Sequence, residues 1–104
     1  MAISADQETN WIQAARGGDL EAFNRLVLAH QDRVYSLAYR IMGEPAAAAD
    51  AAQDAFINAW RRLETYRGGA FQSWLLRITA NTCYDALRYS KRRPATGIED
   101  LPGA

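Results

Sequence analysis

The chain has few of the residues on which disulfide, metal and covalent catalytic sites depend. Among its 104 residues there is one cysteine, Cys83, and one histidine, His30. An internal disulfide is therefore excluded, because it needs a second cysteine, and a metal site built from several cysteines or histidines is excluded for the same reason. The double glycines at 17–18 and 68–69 also lack the lysine and the serine or threonine that follow in a phosphate-binding loop. We expect a protein that is not an enzyme and that needs no metal or cofactor.

Long apolar runs and targeting signals are missing as well. No run approaches the ~20 apolar residues that a membrane-spanning helix needs. The N-terminus has neither the basic segment nor the apolar segment of a secretory signal. The sequence predicts a soluble, cytoplasmic protein of one domain.

The apolar residues that are present recur mostly at the helical spacing of three and four positions. One such stripe runs from Leu20 to Ile41, with Asp19 placed to cap its start and Gly43 placed to end it. His30 falls on this stripe between two valines, so we expect a packed or half-buried side chain and not a catalytic base.

Three further helices are predicted on either side of this one. They span about Thr9 to Arg16, residues 46–65 after Pro45, and Phe71 to Arg92 before Pro94. The alanine-rich start of the second of these indicates a closely packed helix, because alanine is the best helix former. The fold class is thus predicted to be all-α, a compact bundle of three long helices plus a short N-terminal helix. The domain would occupy residues 9–93, between a flexible N-terminus (1–8) and the start of a linker (94–104).

Positive charge is concentrated in one segment of this neutral chain. The whole chain has 12 basic and 12 acidic residues, but residues 66–93 carry six basic residues and the single acid Asp85. Aromatic residues are interleaved with these cations at Tyr66, Phe71, Trp74, Tyr84 and Tyr89. Cations suit phosphates and rings suit unstacked bases, so this segment predicts a surface for single-stranded nucleic acid. We expect Trp74 to lie in the core with Leu75 and Ile78, and Tyr66 is the first candidate for an exposed ring that stacks on a base.

Two groups of polar residues leave alternatives open. On the helix over 46–65, four residues can share an exposed face beside Trp60: Gln53, Asp54, Ile57 and Arg61. They form either an ordinary solvated face or a docking surface. Lys91, Arg92 and Arg93 either interact with the negative end of a helix dipole or contact duplex phosphates. Charge polarised in this way can present opposite faces to two partners.

The order of several motifs resembles a known family. The segment DAAQDAFINAWRRL precedes the glycine-containing loop 66–70, and FQSWLLRITANTCYDALR follows that loop before a basic run. This arrangement resembles region 2 of bacterial RNA polymerase sigma factors, most closely the extracytoplasmic-function (ECF) group, over about residues 10–93. The motif positions are Asp50, Gln53, Asp54, Phe56, Trp60, Ser73, Trp74, Leu75, Asn81, Asp85 and Arg88. Ala49 departs from the acidic residue that the family often has there.

The resemblance implies two binding surfaces. The first would dock on the beta-prime clamp of core RNA polymerase and comprises Asp50, Gln53, Asp54, Ile57, Trp60 and Arg61. The second would bind the melted non-template strand of the promoter minus-ten element and comprises Tyr66, Arg67, Gly68, Gly69, Phe71, Arg77, Asn81, Tyr84, Asp85, Arg88, Lys91, Arg92 and Arg93.

Within the second surface, the resemblance implies that the loop 66–70 closes around a flipped base and that Asn81 contacts a base edge. Arg88 or Arg77 would meet phosphates, and Asp85 would orient Asn81 or Arg88. The resemblance further implies an anti-sigma factor as a partner, and a C-terminal helix-turn-helix domain for which these residues contain no counterpart. The competing hypothesis is a helical protein-interaction module that never contacts nucleic acid.

Overall fold

Three of the four α-helices start at a residue whose side chain caps them. The computed structural model describes residues 4–92, and side chains from 4 to 90. Its helices are α1 (Ala5–Arg16), α2 (Leu20–Met42), α3 (Pro45–Arg61) and α4 (Phe71–Arg92), with a 3₁₀ turn at Leu63–Thr65. Side-chain oxygens of Ser4, Asp19 and Glu44 accept backbone N–H groups in the first turns of α1, α2 and α3. The predicted all-α bundle of three long helices and one shorter helix is confirmed.

Two helix boundaries differ from the prediction. Helix α1 begins at Ala5 and not at Thr9, because Ser4 caps it with a 3.0 Å bond from the Gln7 N–H. Its only buried side chains, Ile12 and Ala15, lie in its second half. The apolar pattern of the sequence therefore predicted only the second half of the helix. Helix α3 ends at Arg61 and not at residue 65, since the following residues tighten into the 3₁₀ turn.

Small residues bring the long helices close together. Ala48, Ala51, Ala55 and Ala59 form a buried stripe along α3, and the short alanine side chains let that helix approach its neighbours closely. Leu26 and Val34 of α2 and Leu75 of α4 fill the space around this stripe and are almost completely buried. The alanine-rich segment is therefore a packed helix, as predicted.

His30 lies inside this bundle as predicted for the apolar stripe. It is 7% exposed, and its Nε2 lies 2.5 Å from Glu8 Oε2 on α1. Cys83 is also fully buried, and burial raises the pKa of its thiol. None of the helices in the described part of the chain combines the length and the apolar character needed to cross a membrane.

Candidate nucleic-acid interface

An exposed polar stripe runs along α4. Arg77, Asn81, Tyr84 and Arg88 are all exposed, and their spacings of four, three and four positions put them on one face of the helix. Tyr84 is 51% exposed, so about half of the residue is open to solvent. The stripe therefore presents cations, an amide and an aromatic ring together.

The stripe borders a groove between α3 and α4. Asn58 of α3 and Arg62, the residue that follows α3, line the groove together with Asn81 and Arg88. Asn58 Nδ2 donates a 3.0 Å hydrogen bond to Thr82 Oγ1 and so ties the two helices together beneath it. Arg62 adds a cation that the sequence analysis did not assign to this surface. Its position four residues after Asn58 puts it on the same helical face, but only the packing of α3 on α4 brings that face to the stripe.

Asp85 pairs with Arg88 and not with Asn81. The Arg88 guanidinium donates to Asp85 Oδ1, and the two side chains are 67% and 62% exposed for Asp85 and Arg88. An ion pair this exposed contributes little to stability. Its effect is to orient the guanidinium at the edge of the groove.

The loop before α4 is shaped by two glycines and one tyrosine. Gly68 and Gly69 adopt φ values of 95° and 84°, a region that side chains other than glycine rarely enter. The Tyr66 hydroxyl donates to the Gly69 carbonyl and closes the loop. Arg67, Gly68 and Gly69 remain exposed, so backbone and one cation are presented at the N-terminal end of the α4 stripe.

Replacing Gly69 with alanine should strain the loop. A Cβ at Gly69 would meet no atom within 4 Å, so the cost comes from the backbone conformation alone. We expect the free energy of unfolding to fall by about 1–2 kcal/mol, measured by urea denaturation. Gly17→Ala is the matched control, because Gly17 has φ −83° and its added Cβ would make only ordinary contact with the Ala14 carbonyl oxygen. Equal losses in both variants would contradict the strain argument.

Tyr66 and Phe71 do not offer exposed rings, which corrects their predicted role in base stacking. They are 6% and 3% exposed, and their rings meet edge to face with centroids 5.4 Å apart. Trp74 packs on both, at 5.4 Å from Tyr66 and 5.5 Å from Phe71. Tyr66 and Phe71 belong to the main core cluster, as is usual for large apolar rings. Burial raises the pKa of the Tyr66 phenol, the nearby Glu8 carboxylate raises it further, and Arg16 lowers it.

Two other aromatic side chains are exposed on α4. Tyr84 and Tyr89 are 51% and 61% exposed. Trp74 is half-buried against the core, while Leu75 and Ile78 are buried, as predicted for these three. The open ring on the candidate stripe is therefore that of Tyr84.

The predicted docking face on α3 is exposed apart from its tryptophan. Its exposed members are Asp50, Gln53, Asp54, Ile57 and Arg61. Trp60 instead packs on Phe23, with ring centroids 5.1 Å apart, and is half-buried. The reason is helical geometry, since Trp60 follows the buried Ala59 and turns toward α2.

The two candidate surfaces are neighbours. Asp54, Ile57 and Arg61 line one side of a groove whose other side holds Asp85 and Tyr89 of α4. The docking face and the α4 stripe therefore meet along the α3–α4 groove and do not lie on opposite faces. Two partners bound at once would touch or nearly touch each other there.

The last three predicted cations are not placed by the structure. Helix α4 extends to Arg92, but the side chains of Lys91 and Arg92, and all of Arg93, lie outside the described residues. Within the described part of the chain, no three His, Cys, Asp or Glu residues are grouped as metal ligands would be.

Known proteins resemble the chain in both sequence and fold. The family Sigma-70 region 2 matches residues 26–93. The RNA polymerase sigma-H factor of Pseudomonas aeruginosa is 38% identical over 88% of this chain and 48% of its own length. The ECF RNA polymerase sigma factor SigE of Mycolicibacterium smegmatis is 41% identical over 80% of this chain and 31% of its own length. The ECF RNA polymerase sigma-E factor of Escherichia coli K12 is 39% identical over 86% of this chain and 47% of its own length.

A solved structure shares the fold. It is an NMR structure of an engineered region 2 of sigmaE in complex with GTAAAA, with a TM-score of 0.76 and 33% identity. The match covers 88% of this chain and 97% of that one. The chain thus spans less than half the length of these curated relatives but nearly all of this solved region. The match over residues 26–93, together with the shared fold, shows that the chain belongs to the Sigma-70 region 2 family.

Proposed function

We propose that this chain is the region 2 domain of an ECF sigma factor, which binds core RNA polymerase and captures the melted minus-ten element of a promoter. The observation that carries the proposal is the exposed α4 stripe, which continues into the glycine loop on a fold shared with a region 2 in complex with GTAAAA. The protein would act in the cytoplasm, where RNA polymerase works.

The α3 face is the proposed polymerase-docking surface. It combines an exposed apolar side chain, Ile57 at 43% exposure, with Asp54 and Arg61 on either side of it. An apolar contact surrounded by charges is the usual composition of a protein-binding patch. The beta-prime clamp is the proposed partner.

The α4 stripe and the loop are the proposed single-strand surface. Asn81 can both donate to and accept from a base edge, and Tyr84 replaces Tyr66 as the ring on which a base would stack. Arg77, and Arg62 across the groove from Asn81, supply cations for phosphates. The exposed backbone at Gly68 and Gly69 would let a flipped base approach closely.

Separate replacement of Asn81 and Arg88 by alanine tests this assignment. We expect each variant to bind a preferred single-stranded oligonucleotide about tenfold more weakly, because a lost base or phosphate contact costs about 1–3 kcal/mol. Retention of core RNA polymerase should be unchanged. The assay is fluorescence anisotropy with GTAAAA and with a strand selected from a randomised pool of the same length.

Arg33→Ala is the matched control, since Arg33 is an exposed arginine on α2 that belongs to neither set of candidate residues. Unchanged binding by the Asn81 and Arg88 variants would refute the nucleic-acid half of the proposal. With polymerase still retained, that outcome would support the helical interaction module. An anti-sigma factor would be expected to cover the same two surfaces, which their proximity makes possible for a single partner.

A further inference from the structure

Helix α1 carries none of the residues proposed to touch polymerase or DNA, yet it is tied to the core by a carboxylate. Glu8 on α1 faces His30 on α2, and the His30 Nε2 to Glu8 Oε2 distance is 2.5 Å. The side chains are 24% and 9% exposed for Glu8 and His30. Hydrogen bonds to a charged group in such partly buried surroundings are stronger than those in water.

This bond is the one that holds the His30 ring in place. The other ring nitrogen, Nδ1, is buried without a hydrogen-bond partner in the described part of the chain. Removal of the Glu8 carboxylate would therefore leave both ring nitrogens unsatisfied. A buried imidazole with no hydrogen-bond partner lowers its free energy when it turns toward solvent or toward a new partner.

The ring is the first step of a path to the glycine loop. The centroid of His30 lies 5.5 Å from that of Phe71, and Phe71 lies 5.4 Å from Tyr66. The Tyr66 hydroxyl in turn donates to the Gly69 carbonyl. Each contact joins the next, so α1 is connected through packed rings to the backbone that closes the loop.

A second observation places α1 beside the same tyrosine. The Glu8 carboxylate raises the pKa of the Tyr66 phenol, although less than burial does. Glu8 thus disfavours the ionised form of Tyr66 in addition to bonding His30.

We propose that Glu8 and His30 are positioning residues that set the conformation of the loop Arg67–Gly69 and so its ability to hold an unstacked base. The inference rests on the proposed function for its last step only, because the link from α1 to the loop is a property of the free protein. Neither residue needs to touch nucleic acid.

The direct test compares Glu8→Ala, Glu8→Gln and Thr9→Ala by amide nitrogen–proton correlation spectra. Thr9 is an exposed neighbour on α1 and controls for general changes in that helix. We expect Glu8→Ala to shift the Gly68 and Gly69 amide signals while those of residues 50–61 stay in place. Glu8→Gln should keep most of the parent positions, because its amide oxygen can still accept the His30 Nε2–H.

Binding of the selected single strand should follow the same order. We expect about three- to tenfold weaker affinity for Glu8→Ala, near-parent affinity for Glu8→Gln and Thr9→Ala, and unchanged retention of core RNA polymerase by all three. Unchanged polymerase retention separates positioning of the loop from a general loss of stability, which would weaken both binding activities together. Rescue by glutamine shows that the hydrogen bond, and not the charge of Glu8, is required.

Unshifted Gly68 and Gly69 signals in Glu8→Ala would overturn the inference and leave the proposed function standing. The inference would also be overturned if the Thr9→Ala control shifted the Gly68 and Gly69 signals as much as Glu8→Ala does. Failure of the parent protein to bind any single strand would instead refute the nucleic-acid function, while the spectra would still decide whether α1 sets the loop.

Discussion

Core RNA polymerase should bind the Asp54→Arg variant at least about thirtyfold more weakly than the parent, since a central interface residue contributes about 2 kcal/mol or more. Asp54 is exposed in the middle of the α3 face, close to Ile57. Reversal of its charge would place an arginine against the cation or hydrogen-bond donor of the polymerase that Asp54 would contact. The desolvation of that unpaired arginine adds to the loss of affinity. The measurement is a pull-down of core polymerase at several salt concentrations.

Glu21→Arg is the matched charge reversal, because Glu21 is an exposed acid on α2 outside the docking face. It should leave polymerase binding close to that of the parent. Trp60 is unsuitable for such a test, since its ring packs on Phe23 and its loss would lower stability as well. Equal retention of the parent and Asp54→Arg proteins would show that α3 is not the docking surface.

Leu75→Ala should lower the free energy of unfolding by about 2–5 kcal/mol, the range for a fully buried leucine that leaves a cavity. Leu75 is 1% exposed and belongs to the same core cluster as Leu26 and Ala55. It also lies one turn after Phe71, where α4 passes over the core. Urea denaturation followed by far-UV circular dichroism would measure the change.

Leu28→Ala makes the same chemical change at a site that is 67% exposed. We expect its free energy of unfolding to stay within about 0.5 kcal/mol of the parent value. A loss at Leu28 as large as that at Leu75 would mean that Leu28 is covered in solution, by a second copy of the chain or otherwise.

Local chemistry explains why much of the fold could be predicted. Asp19, Gly43 and Pro45 act on the turn in which they occur, through a side-chain cap, a left-handed backbone and a fixed φ. Their effect does not depend on the rest of the protein, so α2 and the start of α3 were located from residue order. The start of α1 was missed because Ser4 precedes a segment that buries no side chain until Ile12.

The candidate site was predictable only in part. The exposure of Asn81, Tyr84 and Arg88 follows from their spacing along one helix. The burial of Tyr66 does not, because a residue in a connection has no periodic neighbours that reveal which way it faces. Arg62 likewise became part of the site only when the packing of α3 on α4 set it opposite Asn81.

The sequence by itself determined the helices, the concentration of positive charge in residues 66–93 and the family to which the motifs point, since all of these depend on residues close together in the chain. The tertiary structure alone decided which rings are covered, that the two candidate surfaces adjoin, and that Glu8 meets His30 22 residues away. Such contacts arise from the packing of whole helices against one another, and the geometry of that packing depends on every side chain in the core.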